Sequence, residues 1–241
     1  MAITIGPGIE IGPGISISAT SAPPALSPVL SLDAGNPASY PGSGATWTDT
    51  VGSIPFTLVN GPTYSSSNGG YLQFTPGSGQ YGFSPTNLGT LANWSIEAWH
   101  YYDGTNTSSG PNIFTEYSYG GGTINLGLGS NSADTDLAAW WYGGGFQTTA
   151  PYTLTPGNWY QIVGTFDGTT LNLYVNITLE ETANKPPGGA ANSGIGYGLM
   201  TRWDPGGLWG GRLAILNLYN TDIGAGGVTT SWNANRSRFG L

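Results

Sequence analysis

The sequence predicts an all-β fold, an antiparallel β-sandwich of the jelly-roll type preceded by an extended N-terminal arm. Its 241 residues include 41 glycines, 17 prolines and no cysteine, and 12% of them are aromatic. The glycines and prolines cluster between short runs rich in Val, Ile, Tyr, Phe and Trp, as turn residues do between strands. Because aromatic and branched side chains supply ample core material, this composition indicates a packed β domain and not a disordered chain.

The arm comprises residues 1–18. Isoleucine or proline occupies every odd position from Ile3 to Ile17, and Gly, Thr, Glu or Ser fills the positions between them. This period of two predicts an extended chain with one apolar face, since two prolines and four glycines exclude a helix. So short a segment cannot bury six isoleucines against itself, which indicates an assembly arm that docks on another surface. The residues of its apolar face are Ile3, Ile5, Ile9, Ile11, Ile15 and Ile17.

A proline-rich linker, residues 19–28, follows the arm, and one domain is expected over residues 29–241. Asp167-Gly168 lies between two alternating runs and predicts a tight hairpin turn. A frayed helical turn is expected near residues 227–235. The predicted strands are residues 29–32, 56–59, 71–74, 94–102, 112–117, 123–128, 137–142, 159–166, 171–175 and 212–219.

Charge and composition exclude several classes of partner. The formal net charge is −8 with only five basic residues, which argues against binding to a nucleic-acid backbone. No apolar stretch is long enough to span a bilayer, and the N-terminus does not read as a secretory signal. We therefore expect no nucleic acid and no membrane among the partners, and the lack of cysteine excludes disulfides and thiol chemistry.

Five blocks of sequence give a family resemblance that covers nearly all of residues 29–241. They occur in the order seen in the concanavalin A-like lectin/glucanase superfamily, and the chain resembles its LamG-like branch. The resemblance implies two antiparallel sheets, the larger one curved, with a concave face that binds sugars in some members. The blocks are LSLDAGNPASYPGSGATWTD, LVNGPTYSSSNGGYLQF, NWSIEAWHYYDG, NWYQIVGTFDGTTLNLYVN and LWGGRLAILNLYNTDI.

The chain departs from this family at two places. Residues 74–77 (FTPG) lack an acidic side chain that relatives often carry there, and Ile177 replaces the glycine that usually follows the YVN motif. Both departures weaken the transfer of a calcium or ligand site from the family.

The LDAGNP and SYPGSG segments with the terminal RFG resemble domains of tailed-phage (cyanophage-like) virion proteins, and the arm resembles their N-terminal extensions. This resemblance implies a virion location. The preferred function is a non-enzymatic virion structural protein, either a capsid decoration (cement) protein or a tail or surface appendage, anchored by its arm. Its expected partners are other virion proteins, such as a capsid or tail subunit, and further copies of the chain in a homo-oligomer.

The alternative function is a carbohydrate-binding lectin module that adheres to a host surface glycan. Sugars favour exposed aromatic rings beside amide groups, and in a Trp-Trp pair on a strand one ring must point away from the core. Packing in the sandwich interior or in a subunit interface is the competing explanation for such rings. The candidate glycan-binding residues are Trp140, Trp141, Tyr142, Trp203 and Trp209.

A glycoside hydrolase is the third and most distant alternative. Glycosidic hydrolysis needs two carboxyl groups that face each other, and related glucanases carry theirs as E-x-D-x-E or E-x-D-x-x-E on one strand. No such spacing occurs here, and the adjacent Glu180 and Glu181 would face opposite sides of a strand. We expect no catalytic residues, and His100 is interpreted as a strand residue.

Calcium is the one cofactor that the sequence suggests. Asp134 and Asp136 lie two residues apart in SNSADTD, so both could offer oxygen ligands to a hard cation, and Asp33 and Asp204 are further candidates. The competing explanation is that these aspartates cap turns. One histidine and no cysteine offer too few ligands for a transition metal.

Overall fold

The computed structural model describes residues 25–106, 110–118, 123–130, 136–141, 146–150, 152–184, 196–202 and 206–241. The isoleucine-rich arm and residues 19–24 of the linker lie outside the described residues. The proposed boundaries at residues 18 and 28 therefore stay predictions.

The described residues form sixteen strands in two antiparallel sheets. Each of the ten predicted runs coincides with a strand, and six further strands escaped the sequence analysis, at residues 46–48, 63–65, 81–84, 146–149, 178–184 and 196–199. In chain order the strands are β1 (Leu30–Asp33), β2 (Thr46–Thr48), β3 (Pro55–Val59), β4 (Thr63–Ser65), β5 (Tyr71–Phe74), β6 (Tyr81–Ser84), β7 (Trp94–Tyr102), β8 (Asn112–Ser118), β9 (Thr123–Ser130), β10 (Leu137–Trp141), β11 (Phe146–Thr149), β12 (Asn158–Phe166), β13 (Thr170–Val175), β14 (Thr178–Asn184), β15 (Gly196–Leu199) and β16 (Gly211–Tyr219).

Both sheets have eight strands, and their strand orders confirm the predicted all-β sandwich. The first sheet runs β14-β13-β12-β7-β16-β5-β4, and β1 also pairs with β16. The second sheet runs β11-β10-β9-β8-β15-β6-β3-β2. Consecutive strands pair in β12–β13–β14 and in β8–β9–β10–β11, whereas the centre of each sheet joins distant parts of the chain, as where β7 lies between β12 and β16. The fold therefore closes only when the crossovers between the two sheets are complete.

The main core lies between the two sheets. Alternate residues of the strands enter it, as the period of two requires. Its largest side chains include Trp47, Trp94, Phe56, Phe74 and Phe166, each almost completely buried. Trp94 and Phe166 face each other with ring centroids 5.9 Å apart, which joins β7 to the end of β12.

The C-terminal segment packs on the outer face of the first sheet, against β7, β12, β13 and β16. The predicted frayed turn is instead a three-turn helix, α1 (Gly224–Asn235), continued by a 3₁₀ helix, Arg236–Phe239. Phe239 stacks on Trp99 of β7 at 4.6 Å, and Arg238 forms a 2.8 Å ion pair with Asp33 of β1. Within the described part of the chain no helix has the length and apolar character that crossing a membrane needs.

A buried carboxylate, that of Glu97 on β7, joins α1 to the sheet. Glu97 is 0% exposed, and five side chains donate hydrogen bonds to its carboxylate in place of water. Burial and then the Glu97 charge raise the pKa of Tyr219, so this phenol keeps the proton it donates. The donors are Trp99 Nε1 (2.9 Å), Gln161 Nε2 (2.9 Å) and the Ser231 hydroxyl on Oε1, and Asn217 Nδ2 (3.1 Å) and Tyr219 OH (3.1 Å) on Oε2.

The β13–β14 hairpin contains an unfavourable backbone conformation at Ile177. Asn176 and Ile177 form its two-residue turn with φ values of 47° and 68°. Glycine suits the second of these positions because its missing Cβ removes the steric penalty, whereas a β-branched residue there is strained. Ile177 is also 43% exposed, so burial of its side chain does not offset this strain.

Replacing Glu97 with Ala should destabilise the fold by about 3 kcal/mol or more, because four buried donors and the half-buried Asn217 lose their acceptor. Urea denaturation of the full chain measures this change. Glu180→Ala is the matched control, since Glu180 lies on the edge strand β14 and a substitution there should change stability by about 0.5 kcal/mol at most. Equal stability of the two variants would contradict the role assigned to Glu97.

Candidate functional site

A pocket of about 90 Å³, here called the end pocket, opens at one end of the sandwich where strand ends of both sheets meet. Tyr102 ends β7 and Trp209 precedes β16 in the first sheet, while Ser130 ends β9 and Leu137 begins β10 in the second. The complete lining is Tyr102, Asn106, Ser130, Asp136, Leu137, Thr153, Leu154 and Trp209.

Two aromatic rings form the wall of the end pocket that belongs to the first sheet. Tyr102 and Trp209 meet edge to face, with ring centroids 6.3 Å apart. Asn106 pairs with Trp209 through an isolated β-bridge. The Tyr102 hydroxyl donates a 3.4 Å hydrogen bond to the Oδ1 atom of Asn106. Burial, and to a lesser degree the charge of Asp103, raise the pKa of Tyr102, so its hydroxyl remains protonated at neutral pH.

The rest of the lining is polar at several points. Ser130, Thr153 and Asp136 are the other polar residues of the lining, while Leu137 and Leu154 are its apolar residues. Aromatic, amide, carboxylate and hydroxyl residues therefore surround one small cavity. Such a set can bind a polyol by stacking its C–H groups on a ring and exchanging hydrogen bonds with its hydroxyls.

The buried side chain of His100 positions the indole of Trp209 by a hydrogen bond. Its Nε2 accepts a 2.9 Å hydrogen bond from Trp209 Nε1, and the imidazole is 0% exposed. Burial lowers the pKa of His100 to about 3, against weaker opposing contributions from the Asp103 charge and the Arg212 backbone. The imidazole is therefore neutral at ordinary pH, which leaves Nε2 free to accept. His100 is a strand residue as predicted, and it also positions a pocket wall.

The sequence candidates have different locations in the structure. Asp136 and Trp209 both line the end pocket, although Trp209 is only 2% exposed. Trp141 lies in the core against Phe166, with centroids 5.4 Å apart, so it has no face available to a sugar. Trp140 lies on the other face of β10 and is 8% exposed. The candidates Tyr142, Trp203, Asp134 and Asp204 lie outside the described residues.

Sequence reasoning missed Tyr102, Asn106, Ser130 and Thr153. One signal was present for Tyr102, because alternation along β7 places it on the same side of the strand as His100. The other three lie at or near the ends of strands that are separate in the chain: Asn106 follows β7, Ser130 ends β9, and Thr153 lies between β11 and β12. Their convergence depends on the pairing of the sheets and has no local signal.

The calcium site at Asp134 and Asp136 stays a prediction, since Asp134 is not described. Over the described ranges, no three His, Cys, Asp or Glu side chains come together as a metal site. Asp33, another calcium candidate, is paired instead with the Arg238 guanidinium. Its carboxylate therefore already has a cationic partner.

Comparison with known proteins identifies the family. A family model described as Concanavalin A-like lectin/glucanases superfamily (Laminin_G_3) matches residues 65–228, which is more than half of the chain. The chain belongs to this superfamily. No curated protein sequence gives a match.

Solved structures with the same fold include sugar complexes. Domain 4 of AbnA, a GH43 extracellular arabinanase from Geobacillus stearothermophilus solved with arabinotriose, is 15% identical, with a TM-score of 0.64 over 84% of this chain and 97% of that chain. The ligand binding domain of botulinum neurotoxin serotype D, solved with N-acetylneuraminic acid, is 11% identical, with a TM-score of 0.66 over 86% of this chain and 50% of that chain.

A third solved structure is the Trypanosoma rangeli sialidase in complex with sialic acid. It is 14% identical, with a TM-score of 0.65 over 94% of this chain but only 36% of the sialidase. At sequence identities of 11 to 15%, the likeness of this chain to the three structures shows a shared fold and nothing further.

The buried state of His100 predicts a specific loss of stability in acid. His100 is the only histidine, and its pKa is about 3 when folded against about 6.5 when unfolded. Between these values only the unfolded chain binds the proton, so stability falls as pH falls. From pH 6.5 to 4.5 this group should remove about 2 to 3 kcal/mol.

Urea denaturation at both pH values measures the effect. His100→Gln is the control, because glutamine can still accept from Trp209 Nε1 but does not titrate. The loss of unfolding free energy between pH 6.5 and 4.5 should be smaller in the variant by about 2 to 3 kcal/mol. Identical losses in both proteins would contradict a buried neutral imidazole.

Proposed function

We propose that this domain is a non-enzymatic carbohydrate-binding module whose end pocket holds one edge of a sugar ring. The observation that supports it is the convergence of Tyr102 and Trp209 with Asn106 and Asp136. A volume of about 90 Å³ is far below the roughly 300 to 1,000 Å³ of sites for drug-sized ligands. The pocket therefore suits a terminal sugar of a glycan better than the middle of a long chain.

The solved relatives support a saccharide as the ligand class. Three of them carry arabinotriose, N-acetylneuraminic acid and sialic acid in their complexes. These ligands belong to those proteins. For this chain they support the saccharide class without selecting the sugar.

Binding without catalysis is supported by the positions of two buried glutamates. Glu97 lies on the outer face of the first sheet, where five donors engage it. Glu116 lies on β8 of the second sheet, opposite Tyr197 of β15, and this register directs it toward the core. These two carboxyl groups do not face a common cleft, as hydrolysis of a glycosidic bond requires.

Asp136→Ala and Asn106→Ala should each weaken saccharide binding at least about tenfold, because each removes a polar group that the sugar hydroxyls would bond. The full chain is first screened on a glycan array, and affinities for the best saccharide are then measured by calorimetry. Glu180→Ala, which also removes one carboxylate, is the control and should bind as the wild type does. A blank array, or unchanged affinity in both pocket variants, would contradict the proposal.

A second candidate function, compatible with the first, is a virion structural protein anchored by the arm. The chain enters the first sheet where Val29 N–H bonds Leu218 O, at the end of β16 remote from Trp209. Nine residues of β16 separate these ends, about 30 Å at 3.3 Å per residue. The arm would bind capsid or tail subunits, or further copies of this chain, while the end pocket faces a host surface glycan.

Replacing Ile5, Ile9, Ile11 and Ile15 with Ser in the full chain should convert a homo-oligomer into monomers, because the arm loses its apolar face. Light scattering gives the solution mass. A control variant, Thr4→Ser with Ser16→Ala, alters only the opposite face and should keep the wild-type mass. Unchanged mass in the isoleucine variant would contradict self-assembly through the arm.

A further inference from the structure

Part of the outer face of the first sheet extends beyond the C-terminal helices. At the pocket end of β16, Arg212 lies directly opposite Gln73 of β5 on one side and Tyr101 of β7 on the other. Tyr71 lies two residues from Gln73 on the same face. All four side chains are half-buried, so a ligand can reach this surface, here called the Arg212 face.

The Arg212 guanidinium is held in place by its neighbours. Its Cζ lies 4.1 Å from the centroid of the Tyr101 ring and 4.8 Å from that of Tyr71. Its Nε donates to Gln73 Oε1 at 3.2 Å, and Gln73 Nε2 donates to Asp103 Oδ2 at 3.0 Å. The orientation of the cation is therefore fixed before any ligand arrives, which lowers the entropy cost of binding.

Most of the donors of this guanidinium are uncommitted. An arginine carries five N–H groups, and only the one on Nε is engaged here. For the four on Nη1 and Nη2, the described part of the chain supplies no acceptor, and no carboxylate in that part forms an ion pair with Arg212. Arg238 differs, because its two Nη atoms bond both oxygens of Asp33 and the Gly70 carbonyl.

A guanidinium without an ion-pair partner among the described residues is notable in so acidic a protein. The chain carries 13 acidic residues against five basic ones. Arg212 nevertheless contacts Asp103 only through Gln73, and the other Asp103 oxygen is engaged by Thr105. The free edge of the guanidinium presents parallel N–H groups, the geometry that a carboxylate accepts in bidentate form.

We propose that the Arg212 face binds the carboxylate of an acidic saccharide, such as a uronic acid unit. The two tyrosines offer ring edges and hydroxyls beside the cation, and Thr63, exposed opposite Gln73, adds a further hydroxyl for sugar groups. Alternation along β7 directs Tyr101 to this face and Tyr102 to the end pocket. The two sites are therefore separate, and this proposal does not rest on sugar binding in the end pocket.

Calorimetry with trigalacturonic acid and with its methyl ester tests the proposal on the full chain. The acid should bind the wild type at least tenfold more tightly than the ester does. Arg212→Gln should weaken binding of the acid at least tenfold. Arg236→Gln removes the same charge from an exposed position and should change the affinity less than twofold.

Two further variants keep the result interpretable. If Arg212→Gln loses the near-ultraviolet circular dichroism of the wild type, Arg212→Lys is tested in its place. Lysine retains the charge but lacks the planar fork, so this variant should still weaken binding of the acid at least fivefold. Asp136→Ala should leave this binding unchanged, which separates it from the end pocket. The proposal is overturned if the acid does not bind or if acid and ester bind with equal affinity. It is also overturned if Arg212→Gln and Arg236→Gln bind the acid with equal affinity, or if inorganic phosphate competes as well as the acid does.

Discussion

The buried carboxylate of Glu97 is the constraint on which the rest of the structure depends. A charge removed from water costs several kcal/mol unless hydrogen bonds replace its hydration, and here five donors do so. These donors come from β7, β12, β16 and α1, so the network can form only when the sheet and the C-terminal helix are in register. Helix α1 thereby covers the middle of the first sheet and leaves its pocket end uncovered.

Strand alternation at this uncovered end produces two different surfaces from one stretch of β7. His100 and Tyr102 face inward, where His100 fixes the Trp209 wall of the end pocket. Tyr101 faces outward, where it stacks on Arg212. The linker joins the sheet at the opposite end of β16. The proposed ligand sites and the proposed assembly arm are thus about one strand length apart, so they could be occupied together.

Local patterns predicted the long strands and the Asp167-Gly168 hairpin, because alternation and turn residues are encoded within a few positions. The contacts that decide the site are not local. Gln161 is 64 positions and Ser231 134 positions from Glu97, and Trp209 is 109 positions from His100. Helix α1 begins GAGG, a poor helix-forming sequence, and burial of Val228 and Ser231 against the sheet compensates for it. For the Trp140-Trp141 pair, the sequence required opposite faces but could not say which ring enters the core.

The central claim, that a saccharide binds in the end pocket, is tested most directly by nitrogen-15 NMR of the full chain titrated with the tightest-binding neutral glycan. The chain has nine tryptophans, whose indole N–H signals report on separate parts of the fold. The account predicts that the Trp209 indole and the Asn106 side-chain amide shift first, while the core residue Trp94 does not respond. Saturating glycan that leaves the Trp209 signal unmoved would contradict the account.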